Sequence, residues 1–210
     1  MTHSRNAECI DAELNAGAVP PETDLRQTLL DLLVQHAYQE GNFTLSSGQS
    51  SSYYINGKVV TLHPEGALAL GHLLLHRLPR EVDAIAGLTL GADPIVSAVS
   101  IVSALQKRPI PGIIIRKQAK GHGTMAYLEG PSLPPNSTVV VVEDVVTTGQ
   151  SALMAIERLR QAGYQANRVL AMVDRQQGGA EFYQQQGIEF ESIFTIADLQ
   201  AAYAARSGQS

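Results

Sequence analysis

The 210-residue chain contains no tryptophan, a single cysteine and only 5% aromatic residues. Cys9 alone can form no internal disulfide and is too little for a cysteine zinc site, which fits a reducing compartment. Long apolar runs are missing too: stretches such as Thr138–Val142 and Gly112–Ile115 fall far short of the roughly 20 residues that cross a bilayer. Residues 1–17 are polar and acidic, without the basic-then-apolar order of a secretory signal. A cytoplasmic protein with no membrane partner is expected. Cations are scarce: 15 Lys+Arg against 20 Asp+Glu leave a formal charge of −5. Because phosphate contacts need a basic face, a nucleic-acid partner is not expected. Any phosphate chemistry must rest on local features.

With 44% hydrophobic and 17% charged residues, the chain can bury the core of one globular domain. Residues 1–21, ending in Pro20-Pro21, read as a flexible extension and 207–210 as a tail, leaving a single domain over 22–206. A helix is expected from Asp24, with Gln27 in a capping arrangement and Leu25, Leu29, Leu32 and Leu33 buried, until Gly41 ends it. Phe43–Asn56, rich in Ser and Tyr, reads as short strands and turns. Pro64 opens a second helix that Pro79 stops. Beyond it five unalternating apolar runs, Val82–Ala86, Ile113–Ile115, Val139–Val142, Val169–Val173 and Phe190–Phe194, have the composition of strands covered on both faces. Helical stretches at Pro94–Gln106, Ser151–Ala162 and Gly179–Gln186 separate several of them. The alternation predicts an α/β fold, a doubly wound, mainly parallel sheet flanked by helices, with ligands at the C-terminal ends of the strands.

One segment carries the clearest chemistry. Val139–Val142 runs into two adjacent acids, Glu143 and Asp144, then Val145, Val146, Thr147, Thr148, Gly149, Gln150 and Ser151, and a helix follows. Adjacent carboxylates at a buried strand end repel each other and lose hydration, so packing alone does not account for them. The turn offers backbone N–H groups and hydroxyls at a helix N-terminus, where an anion is favoured. A Walker lysine is absent. The arrangement suits a ribose 5-phosphate: Thr147–Ser151 take the phosphate, and Glu143 and Asp144 accept from neutral ribose hydroxyls. An acidic strand end before an ordinary capped helix is the plainer alternative.

Two apolar pairs, two acids, two apolar residues and Thr-Thr-Gly resemble the phosphoribosyl-pyrophosphate signature of type I phosphoribosyltransferases. Purine, pyrimidine and orotate transferases share it, as do some regulatory proteins. Three further segments resemble the orotate phosphoribosyltransferases. Arg116-Lys117-Gln118-Ala119-Lys120-Gly121-His122-Gly123 puts three formal positive charges and a histidine into one loop of an acidic chain. Taken alone it reads as a solvated basic run, whereas the family's corresponding loop closes over pyrophosphate across a homodimer interface. Phe43–Asn56 is similar to the family's N-terminal hood (mainly residues 22–60), which implies that backbone groups of Tyr54 and Ile55 face orotate; otherwise its tyrosines simply pack. Asp174-Arg175-Gln176-Gln177-Gly178-Gly179 sets Arg175 just past a strand, where a guanidinium can grip a carboxylate or join a surface ion pair. The resemblance implies contact with orotate for Arg175 and for Thr147. Two departures stand out, since many members have lysine at the position of Ser46 and a Tyr-Lys pair at Leu90-Gly91.

The resemblance implies transfer of ribose 5-phosphate from phosphoribosyl pyrophosphate to orotate, giving orotidine 5′-monophosphate and pyrophosphate in pyrimidine synthesis. Arg116, Lys117, Lys120 and His122 would neutralise the leaving group, with Lys120 the leading candidate. Mg²⁺ would be bound mainly through phosphoribosyl pyrophosphate and not by a protein metal site. The other readings are a purine or uracil transferase and a non-enzymatic sensor of phosphoribosyl pyrophosphate. His72 and His76 have helical zinc spacing but no third ligand at a recognisable distance, so a helix-surface pair is expected.

Overall fold

The computed structural model describes residues 19–44, 50–120 and 127–208. Helix α1 (Glu22–Leu32) continues through a π-helical turn (Leu33–Ala37) into an antiparallel ribbon, β1 (Tyr38–Thr44) and β2 (Ser50–Ile55). Short α2 (Gly57–Thr61) and α3 (Pro64–Arg77) follow. The remaining chain is β3 (Ala84–Leu88), α4 (Asp93–Leu105), β4 (Gly112–Ile115), β5 (Leu128–Glu129), β6 (Val139–Val146), α5 (Gln150–Gln161), β7 (Arg168–Asp174), α6 (Gly179–Gln185), β8 (Glu189–Thr195) and α7 (Ile196–Ser207). The six-stranded sheet has the order β5-β4-β3-β6-β7-β8, parallel except for the edge strand β5.

The unalternating valines of β6 are explained by helices on both faces. Val140 and Val142 join Leu29, Leu70, Leu73 and Val99 in one core. Val139 and Val141 join Ala152, Ala155, Ile156 and Leu159 in the other. Strand order reverses between β3 and β6, because β4 leaves β3 on one side and β6 lies on the other. A crevice at the C-terminal ends of these two strands is where such sheets bind ligands.

Several boundaries differ from the sequence reading. Helix α1 begins at Glu22 after Pro21, with no side-chain cap, so the expected Asp24–Gln27 arrangement is absent. It does not run to Gly41, which lies inside β1 at φ +157°, an extended conformation. Strand β3 is shifted to Ala84–Leu88, and β6 extends to Val146, placing Glu143 and Asp144 inside the strand. Helix α7 was not anticipated, although Thr195 and Asp198 form a complete capping box at its start.

Candidate functional site

The end of β6 and the turn into α5 form a pocket of about 90 Å³ lined by Glu143, Val145, Val146, Thr147, Thr148, Gly149, Gln150, Ser151 and Tyr183. Gly149 makes the turn possible. Its φ is +84°, and a Cβ there would lie 2.9 Å from ring atoms of both Phe182 and Tyr183. Gly179 is equally constrained, since its Cβ would meet Val146 Cγ1 at 2.5 Å and the Thr147 carbonyl at 3.0 Å. Helix α6 therefore presses against the turn and shapes the pocket, which opens at the start of α5, a 12-residue helix. The unpaired N–H groups there suit a phosphate dianion.

A second cleft of about 480 Å³ shares Glu143, Val145 and Ser151 with this pocket and adds Lys58, Leu88, Thr89, Leu90, Gly91, Lys117 and Asp144. Its size falls within the roughly 300–1,000 Å³ of small-molecule sites. Gly91 is in close contact with Asp144: a Cβ would be 2.7 Å from Asp144 Oδ1. That oxygen also accepts from the Val145 N–H at 3.0 Å. A third hollow, lined by Thr89, Arg116, Lys117, Gln118 and Glu129, shares Thr89 and Lys117 with the cleft.

The two acids differ. Glu143 is buried, and its Oε2 has no hydrogen-bond partner among the described residues. Burial pushes its carboxyl up to about 8; the charge of Asp144 and a hydrogen bond with it add to the shift, and Lys117 opposes it. The hydroxyl of Tyr183, also buried and without a partner, lies on the same pocket. Burial raises that phenol strongly, with Glu143 and Asp174 contributing, so it is a neutral donor at any working pH.

Of the basic loop, Lys117 reaches the cleft. Arg116 and Lys120 instead meet Glu129 at 3.0 and 3.4 Å. The Glu129 carboxyl is accordingly lowered, first by the Arg116 hydrogen bond and then by Lys120. Both ends of the loop are tied down, as the Arg116 N–H donates to the Tyr127 carbonyl at 2.8 Å. Arg158 of α5 donates to the carbonyls of Arg116 and Lys117 and stacks on Tyr127. His122 and Ser46 lie outside the described residues.

Arg175 is 8% exposed and makes no ion pair among the described residues, unlike the strand-end ion pair considered from sequence. Its Nε donates to the Tyr53 hydroxyl at 3.3 Å, an Nη donates to Ser51 Oγ at 3.4 Å, and the guanidinium stacks 4.8 Å from the Tyr53 ring centre. The ribbon β1–β2 thus sits over the end of β7. The Tyr54 side chain is exposed and leans on Phe43, whereas Ile55 packs against the core. His72 is buried and hydrogen-bonded through Nδ1 to Gln106 at 2.8 Å, so the expected surface pair with His76 is replaced by a core histidine, its basicity lowered by burial. Lys58, Glu129, Arg158 and Tyr183 escaped the sequence reading. Each lies within a few residues of a motif but outside it, and its type there carries no signal until the fold brings it to the site.

A family model described as uracil phosphoribosyltransferase matches residues 95–193, which hold the β6 motif. An orotate phosphoribosyltransferase of Nostoc sp. (strain PCC 7120) is 68% identical over 179 residues, 85% of this chain and 87% of that protein. One from Synechocystis sp. (strain PCC 6803) is 63% identical over 193 residues, covering 92% and 98%. The crystal structure of Mycobacterium tuberculosis H37Rv orotate phosphoribosyltransferase with Fe(III) dicitrate superposes with a TM-score of 0.74 at 34% identity, covering 85% of this chain and 99% of that one. Its complex with phosphoribosyl pyrophosphate gives 0.69 at 31%, covering 86% and 99%.

Proposed function

The chain belongs to the orotate phosphoribosyltransferases, and from that membership we propose how its own residues carry out the transfer of ribose 5-phosphate from phosphoribosyl pyrophosphate to orotate in pyrimidine biosynthesis. The observation that carries the assignment of orotate to a place is Arg175, a buried guanidinium with no carboxylate partner among the described residues. A charge so placed is costly unless a ligand pairs with it. Orotate brings a carboxylate; uracil and the purines do not. Ser51 and Tyr53 hold the guanidinium flat, Thr147 lies at the neighbouring strand end, and the backbone of Tyr54 and Ile55 closes the ring's other side.

The 5′-phosphate enters the small pocket, where Thr147, Thr148, Gly149, Gln150 and Ser151 offer N–H groups and hydroxyls, with Val145 and Val146 as its apolar wall. Binding energy at this remote group orients the anomeric carbon. Asp144 accepts from the ribose hydroxyls and stands near the positive charge that develops on the sugar. Glu143, kept protonated near neutral pH by its burial, meets the ribose hydroxyls as a neutral acid. Lys117, with Arg116, Lys120 and His122 of the same loop, neutralises the departing pyrophosphate. Glu129 holds Arg116 and Lys120 in reserve, so turnover exchanges a carboxylate for a phosphate oxygen.

Mg²⁺ fits this cleft as a companion of the substrate. Two adjacent carboxylates, one with an unpartnered oxygen, supply few ligands, and no cluster of three or more His, Cys, Asp or Glu suited to a metal occurs among the described residues. Asp144 would steady the ion while phosphoribosyl pyrophosphate supplies most of its oxygens, and when bound it would spread the leaving group's charge. A homodimer and a cytoplasmic location complete the reading. Among the described residues no helix is long and apolar enough to cross a membrane.

The test is pyrophosphate release with orotate, uracil or adenine as acceptor, with and without Mg²⁺. Release with orotate alone, and only with Mg²⁺, is expected. Arg175→Ala should lose orotate affinity far more than affinity for phosphoribosyl pyrophosphate, and equal losses would remove Arg175 from the base site.

A further inference from the structure

The leaving group of this reaction carries several negative charges, yet the loop between β3 and α4, Gly87-Leu88-Thr89-Leu90-Gly91-Ala92-Asp93, contains no cation. Arg116 and Lys120 are engaged by Glu129. The basic side chains that line the cleft are Lys117 and Lys58. Lys58 comes from α2, far in sequence from the phosphate motif and the basic loop. It is exposed and forms no ion pair among the described residues.

A lone exposed lysine is ordinary; the placement of this one is not. Gly57 precedes it, and a Cβ at Gly57 would sit 3.1 Å from Met172 Cε and 3.2 Å from both Asp144 Cβ and Val145 Cγ2. The absence of a side chain lets α2 press directly on the end of β6. The next residue, Lys58, is thereby delivered to the rim of the cleft that holds Asp144, Gly91 and Lys117. A flexible ammonium at such a rim is a point charge able to follow a mobile polyphosphate. Two cations, one from α2 and one from the end of β4, then converge on the cleft beside a loop that supplies only backbone, a hydroxyl and apolar groups.

We propose that Lys58 is a substrate-contacting residue: its ammonium binds the diphosphoryl group of phosphoribosyl pyrophosphate, and of pyrophosphate itself, supplying the cation that loop 87–93 lacks. The assignment rests on the phosphoribosyl-transfer reading of the same cleft. It predicts selectivity within one ligand. Lys58 touches the diphosphoryl end and leaves the 5′-phosphate end alone.

Calorimetric titration of wild type, Lys58→Ala and Lys58→Arg with inorganic pyrophosphate, phosphoribosyl pyrophosphate and ribose 5-phosphate, all with Mg²⁺, tests this. Lys58→Ala should bind the first two about tenfold more weakly, the scale of one charge-assisted contact. Ribose 5-phosphate affinity, the KM for orotate and the unfolding temperature should stay at wild-type values, and Lys58→Arg should recover most of the loss. Unchanged pyrophosphate affinity in Lys58→Ala overturns the proposal, as does an equal loss for ribose 5-phosphate, which would mean a general loosening of the site. A wild type that binds pyrophosphate through Lys58 but releases none with orotate would overturn the reaction and leave this contact standing.

Discussion

Glu143 concentrates the chemistry of the site in one titration. Its carboxyl titrates at about 8 in the folded protein against an ordinary 4.5, with burial the main cause. Between those values the folded protein keeps a proton that the unfolded chain releases, so this group's contribution to stability is largest at low pH and declines as pH rises toward 8. Above that, folding must carry a buried charge beside Asp144. Glu143→Gln cannot ionise. Without ligands, its unfolding temperature should exceed that of wild type by a margin that is small near about pH 5, grows up to about pH 8 and then levels off, because over that range only the unfolded wild-type chain gives up the proton. Thermal scans across the range check this, and a margin independent of pH would mean that Glu143 titrates normally. Above about pH 8, where wild type carries the charge, phosphoribosyl pyrophosphate affinity should fall in the variant, since a neutral amide accepts less strongly from ribose hydroxyls than a carboxylate. The paired acids were visible in the sequence as a feature needing a partner. Their inequality was not, because it depends chiefly on how deeply the folded chain buries Glu143 while leaving Asp144 half-buried.

In the proposed function, phosphate binding depends on the turn from β6 into α5. Gly149→Ala must hold a Cβ at φ +84° and displace the Phe182 and Tyr183 rings. The left-handed conformation alone costs roughly 1–2 kcal/mol. We expect a lower unfolding temperature and, separately, a loss of ribose 5-phosphate affinity of about tenfold or more, as the N–H groups lose their common direction. Titration with ribose 5-phosphate is the check, and wild-type affinity in a folded variant would mean that the phosphate binds elsewhere. The shape of this turn was readable: Thr-Thr-Gly after two acids pointed to a strand–turn–helix, which the structure shows with a pocket at it, and strand–helix alternation gave the doubly wound sheet. What sequence could not supply was where polar residues continue a strand. Glu143 and Asp144 resemble an ending, yet β6 runs to Val146 because Val145 and Val146 pair with Val173 and Asp174 of β7. Strand β5, two residues long, has no sequence signal apart from the pairing of Leu128 and Glu129 with Ile115 and Ile114.

For the molecule as a whole, the proposed function lets a charge of −5 coexist with a polyanionic substrate: the phosphate would meet N–H groups, the acids a neutral diol, and the cations are confined to a few places. One such place is the loop from Arg116 to Lys120, whose two described members away from the cleft are paired with Glu129 and not with the cradle. A loop that serves a neighbour's site accounts for that separation. Apolar side chains also stand exposed on three successive helices, Val59 and Leu62 on or beside α2, Leu68 on α3, and Ile101 and Leu105 on α4. If two copies associate and exchange loops, each site combines the loop of one chain with the cradle of the other. Lys120→Ala and Asp144→Asn, each inactive alone, should then complement. Equal mixing after subunit exchange makes half the dimers mixed; each mixed dimer has one site with both residues intact and one with neither, so about a quarter of wild-type activity should return. Pyrophosphate release from the mixture measures it. Native mass spectrometry of the same sample shows whether mixed dimers are present, and a mixed dimer with no recovered activity would place loop and cradle of each site within one chain.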